Sequence, residues 1–185
     1  TLRVHSTTAN SVFVGPGAGN FTLSGINNAG LGDTALDALT TGYDNVAIGG
    51  AALTAVTTGF KNVAIGSIAL SGIVEGTNNI GIGWGAGNNI TSGNNNAVIG
   101  YDIDAQSATA DYQLSIQNII FGLSNSAAGT TVSTGFIGIG QPAPTYQLHI
   151  TGNTTNKNLL LVEEDGGVNI LEIIEDTGVN KIGFF

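Results

Sequence analysis

Glycine recurs at Gly15, Gly32, Gly49, Gly66, Gly83 and Gly100, and again at Gly25, Gly42, Gly59, Gly76 and Gly93, each series stepping by 17 residues without a slip. Ala18, Ala35, Ala52, Ala69 and Ala86 keep the same step, as do Asn28, Asn45, Asn62, Asn79 and Asn96. The position before the first glycine series is always aliphatic: Val14, Leu31, Ile48, Ile65, Ile82 and Ile99. Another column runs Thr22, Leu39, Val56, Ile73 and Ile90, polar only at its first member. Self-similarity at a fixed period of this length is the signature of a solenoid. The chain is therefore expected to be all-β, a 17-residue-repeat β-solenoid or β-roll over residues 10–105.

One unit, Tyr43 to Gly59, shows how the pattern becomes structure. Val46 and Ile48 are two apart, so they share one face of a short strand while Ala47 faces the other. The larger pair is expected to point inward, with Leu53 and Val56 as a second inward cluster. Gly49 marks a corner where positive φ or close backbone approach is needed. A single unit cannot bury so few apolar groups, but stacking turns each column into a ladder with rungs about 4.8 Å apart. The resulting core is thin. Three chains around a common axis would enlarge it, so a homotrimer is the physically reasonable assembly, and a single-chain solenoid stays open.

Composition agrees and removes other classes. The 185 residues include 29 glycines and 3 prolines without a Gly-X-Y period, which excludes collagen. Arg3, Lys61, Lys157 and Lys181 are the only basic residues and the net charge is −9, so a nucleic-acid partner and an anionic membrane surface are not expected. There is no cysteine, hence no disulfide and no thiolate metal site. No apolar run reaches the roughly 18 residues of a membrane span. The chain reads as a piece cut from something longer.

Units such as YDNVAIGGAAL, FKNVAIGSIAL and TNNIGIGWGAG resemble the head repeats of YadA-like trimeric autotransporter adhesins, and equally the repeats of bacteriophage tail fibres. The resemblance covers about residues 10–105 and implies a trimeric, left-handed β-roll. It implies residence in a virion tail fibre or, alternatively, on a bacterial cell surface, with a host glycan or protein receptor as partner. Further on, QLSIQNIIFG and GFIGIGQPAPTYQLHI resemble a segment carried by phage fibre proteins downstream of their repeats, which favours the fibre.

The period fails after Tyr101, and residues 106–150 are expected to be an irregular β transition in which Pro142 and Pro144 separate short strands. Residues 151–185 read as strand, turn, strand, turn, strand, with turns at Asp165-Gly166-Gly167 and Asp176-Thr177-Gly178. A helix over 168–176 also fits the apolar spacing, but β-branching and flanking glycines favour a strand. The acidic residues between 163 and 176 are expected to face outward.

Few residues suit chemistry. His5 and His149 are the only histidines and sit in different segments, so no nucleophile–base pair is expected and the chain is read as no enzyme. Hexapeptide-coil acyltransferases need a histidine in the coil, and none falls between 10 and 105. Gly81 to Gly87 is glycine-rich, but its glycines belong to the repeat and no G-K-[ST] follows. Asp102 and Asp104, or Asp33, Asp37 and Asp44, match no calcium-loop spacing and read as solvated surface. A polysaccharide-degrading or carbohydrate-binding solenoid is the remaining alternative, and it needs paired carboxylates in a groove or an aromatic platform. No metal or cofactor is expected. The asparagine column is expected to stack as an amide ladder serving turn backbone groups. Trp84 and Tyr101 share one column, and Tyr43 and Phe60 another. These four are the candidate surface-recognition residues, set against a role as packed pairs sealing a loop.

Overall fold

A computed structural model describes residues 4–6, 10–20, 23–117, 119–123, 136–139, 142–143, 148–150, 158–164, 168–176 and 179–183. Among the described residues every regular element is a strand. Seven three-residue strands form the stack: β2 (Val12–Val14), β3 (Ala29–Leu31), β4 (Val46–Ile48), β5 (Val63–Ile65), β6 (Ile80–Ile82), β7 (Ala97–Ile99) and β8 (Leu114–Ile116). Each pairs with the next in parallel, and every partner lies 17 residues on, as in Val46 with Val63 and Ile48 with Ile65. This is a β-solenoid. The stack outruns the recognisable repeat by one rung, since β8 sits beside β7 in the same register. Gln117 there occupies the corner of the first glycine series, with φ of 48°.

Antiparallel pairs flank the parallel stack at both ends. β1 (Val4–Ser6) pairs antiparallel with β2, and β9 (Ile120–Leu123) with β8. β10 (Phe136–Ile139) and β11 (Leu148–Ile150) extend the same sheet to 11 strands. A second sheet holds β12 (Asn158–Glu164), β13 (Val168–Asp176) and β14 (Val179–Gly183), all antiparallel. Residues 168–176 are thus a strand, the β-branched alternative of the two open for that segment. Its turns at 165–167 and 177–178, and the orientation of its acidic side chains, lie outside the described residues, as do Arg3, Thr22, Pro144 and Lys157.

The corners explain the glycines. Gly49 has φ of 137°, and a Cβ there would collide with the Gly66 carbonyl of the next rung. Other corners use non-glycine residues in left-handed conformation: Asp44, Ala51 and Leu53 in one unit (φ 55°, 55°, 51°), and Lys61, Ile68 and Leu70 in the next (56°, 52°, 50°). Such backbone costs roughly 1 kcal/mol or more per residue. It persists because each of these N–H groups bonds a neighbouring rung, for example Ala51 to the Asp33 carbonyl at 2.8 Å and Leu53 to the Ala69 carbonyl at 3.1 Å. Stacking, not local preference, sets the turn.

The strand faces are reversed from the sequence expectation. Ala47 is fully buried, whereas Ile48 is 41 % exposed and Val46 half-buried. Leu53 and Val56 do point inward, both fully buried. The coil is too narrow for two branched side chains from each strand in addition to those leucines. Its strand wall is therefore built from one inward residue per rung: Phe13, Gly30, Ala47, Ala64, Gly81, Val98 and, on the last rung, the polar Ser115. Sizes compensate along this column. The Phe13 ring occupies the space that a Cβ on Gly30 or Gly19 would need, and Leu70 does the same for Gly81 and Gly87.

Candidate functional site

The asparagine column lies inside the coil. Asn28, Asn45, Asn62, Asn79 and Asn96 are at most 2 % exposed. Asn62 is representative: its Nδ2 donates to the Gly76 carbonyl at 2.9 Å and to Asn45 Oδ1 at 3.1 Å, while its backbone N–H donates to that same Oδ1 at 3.0 Å. Its own Oδ1 accepts from the N–H and Nδ2 of Asn79. Ser11 Oγ accepts the first N–H of the series, from Asn28, and Gln113 takes the seventh place, donating its N–H to Asn96 Oδ1 at 2.8 Å. These amides serve the chain itself, satisfying turn carbonyls that would otherwise be buried without partners.

The glycine-rich run 81–87 is similarly committed. Gly83 and Gly85 donate their N–H groups to the Ile65 and Ser67 carbonyls, and Gly87 donates to Ile103. Amides that cradle a phosphate must point free into a concavity, and these join rungs. Among the acids, Asp37 accepts from Thr54 Oγ1 at 2.7 Å and Asp44 from Asn27 Nδ2 at 3.0 Å. Asp33, Asp102 and Asp104 are exposed, and among the described residues no three potential metal-ligating side chains cluster. His5 lies in β1 and His149 in β11. Among the described residues no helix is long and apolar enough to cross a membrane.

What the coil leaves outside is an aliphatic face. Its two columns are Val12, Ala29, Val46, Val63, Ile80, Ala97 and Leu114 beside Val14, Leu31, Ile48, Ile65, Ile82, Ile99 and Ile116. Neither contains a polar residue. Over six rung intervals the face is about 29 Å tall. Val12 and Leu31 are 49 % exposed, and Ile65, Ile80 and Ile82 about 40 %. At Ala29 the face dips into an apolar depression of about 170 Å³ bounded by Val12, Leu31, Val46 and Ile48. Ile48, Ile65, Ile82 and Ile99 thus belong to the solenoid's outer wall, while the corner glycines Gly32, Gly49, Gly66, Gly83 and Gly100 carry the chain out of each strand.

The aromatic pairs flank this face. Tyr43 and Phe60 precede β4 and β5, with ring centroids 4.6 Å apart and planes 6° from parallel. Lys61 Nζ stands 5.9 Å from the Phe60 centroid. Trp84 and Tyr101 follow β6 and β7 and stack at 5.2 Å and 21°. Each ring commits one face to its neighbour, and Tyr101 is the most open, 69 % exposed. The column Val12 to Leu114, whose Val46 the sequence places inward, belongs to this outer face. The signal for it is the small middle residue in N-[VI]-[AG]-I-G, as at 45–49, 62–66 and 79–83, which shows which strand face fits a narrow interior. No protein-family model, curated protein or solved structure matches the chain.

Proposed function

We propose that this chain is a structural segment of a trimeric attachment fibre, most simply a phage or viral tail fibre, in which three copies bring their outward aliphatic faces together. The observation that carries the reading is that face, a two-column stripe of aliphatic side chains with no charge over seven rungs. Soluble monomers rarely leave a contiguous apolar patch of this length uncovered. Three such faces around one axis make the core that a single coil lacks. Their rods would carry load through backbone ladders and place recognition surfaces at the cell in triplicate, where avidity multiplies modest affinities. The tail-fibre assignment leans on the resemblance of the repeats and of the segments Gln113–Gly122 and Gly135–Ile150. A bacterial surface adhesin would use the same face, and a coiled-coil stalk with a membrane anchor in the same gene would identify it.

Light scattering on the native protein tests the assembly. The expected mass is about 56 kDa, three times the 18.6 kDa chain. A stable species at the single-chain mass contradicts the reading.

A further inference from the structure

We infer that the two flanks of the aliphatic face form an in-register seam between neighbouring copies of this chain, the aromatic pairs of one copy lying against the small residues of the next. The inference rests on the trimeric reading and specifies its geometry.

Three copies that turn the same face to one axis have strands running in the same sense around it. The start of each strand in one copy therefore meets the end of the strand in its neighbour, a head-to-tail contact that closes into a ring. The column just before the strands reads Tyr43, Phe60, Thr77, Asn94, and the column just after them reads Gly50, Ser67, Trp84, Tyr101. Matched rung by rung these give Tyr43 with Gly50, Phe60 with Ser67, Thr77 with Trp84, and Asn94 with Tyr101. Each of these four rungs, β4 to β7, carries one ring and one small or slender side chain, whereas β3, flanked by Ile26 and Asp33, and β2, flanked by Ala9 and Pro16, carry no ring. The ring changes flank between β5 and β6, and both columns change together.

Within one chain the two flanks lie at opposite ends of the strand, so this matching has no steric cause inside the coil. Between copies it has one. A seam of constant width accepts no more than one ring per rung, and no rung carries two, as the inner wall accepts Phe13 only over Gly30 and Gly19. The exposure of Tyr43 (36 %), Trp84 (41 %) and Tyr101 (69 %) is then the exposure of an uncovered seam. With its flanks the face measures roughly 29 by 20 Å, on the order of 600 Å² per copy in outline. Side-chain relief brings that close to the roughly 800 Å² per partner of a standard interface.

The lack of cysteine makes the test direct. The double variant Phe60→Cys/Ser67→Cys places one thiol on each flank of the same rung. Mild oxidation is expected to yield covalently closed trimers on a non-reducing gel. Phe60→Cys/Asp33→Cys, offset by two rungs or about 9.6 Å, is expected to remain single chains, because a disulfide tolerates Cα separations only up to about 6.8 Å. Thr77→Trp is the second arm. A ring there would meet Trp84 of the next copy, so the trimer is expected to dissociate at least tenfold more readily, and adding Trp84→Ser is expected to restore it. If the wild type is a trimer but the cysteine variants cross-link only in the offset pair, or not at all, or Thr77→Trp leaves its dissociation unchanged, the seam is overturned and the trimer stands. A wild-type monomer overturns both.

Discussion

The inner and outer walls of the same strands obey opposite rules. The inner wall varies in size from glycine to phenylalanine, with Phe13 and the corner residue Leu70 filling room left by Gly30 and Gly81 on the next rung. The outer wall is steadily aliphatic and yet open, with Ile48, Ile65 and Ile82 close to two-fifths exposed. An ordinary antiparallel sheet with one wet face alternates apolar and polar. Here both faces are apolar from β2 to β7, as in sheets covered on both sides, and only Ser115 on the last rung is polar inside. The difference teaches that the single coil is half of a packing problem: its interior is complete, and its exterior is built to be covered.

The comparison is broken most severely from within. Ala64→Glu puts a carboxylate where the coil has no space and no counter-ion, a cost of several kcal/mol. Loss of the far-UV β signal is expected at every protein concentration, and a folded variant would show that the interior is looser than described. Next is the polar ladder. Asn62→Leu keeps the volume but strands the Gly76 carbonyl and removes the acceptor of the Asn79 N–H, an expected loss of about 3 kcal/mol. Ser11→Ala, at the end of the ladder, removes the acceptor of the Asn28 N–H and is expected to cost about 1 kcal/mol. Denaturant titration at one fixed chain concentration reads both, since assembly makes the midpoint concentration-dependent. Equal losses would deny that the column acts as a chain of shared bonds. The mildest change is at a corner. Ile68 is β-branched at φ of 52°, so Ile68→Gly is expected to stabilise by up to about 1 kcal/mol, less whatever packing the half-buried isoleucine supplies. A destabilised variant would mean that this packing outweighs the relief of strain.

Much of the architecture is legible in the sequence because stacking forces equivalent residues into equivalent places. Six glycines at one spacing announce the rung, and Leu53 and Val56 announce part of the core. The sense of the strand is harder to read. Alternation separates Ala47 from Val46 and Ile48 but does not say which side is inside, and the habit of placing larger groups inward fails where the coil is narrow. The seventh rung escapes notice because Gln113 and Gln117 stand where asparagine and glycine would mark it, although Leu114 and Ile116 keep step. Hydrogen bonds of the column Asn28 to Asn96 follow from its period and burial, whereas the matching of flanks becomes visible only once both columns are known to border the same open face.

The central claim is that this outer face is an association surface, and Ile65→Asp tests it most directly. Ile65 lies mid-stack and points away from the coil, so a carboxylate there leaves the interior untouched. Sedimentation equilibrium beside circular dichroism is expected to show an intact β spectrum with the mass falling from three chains to one. A variant that keeps the wild-type trimer mass and stability would contradict the account.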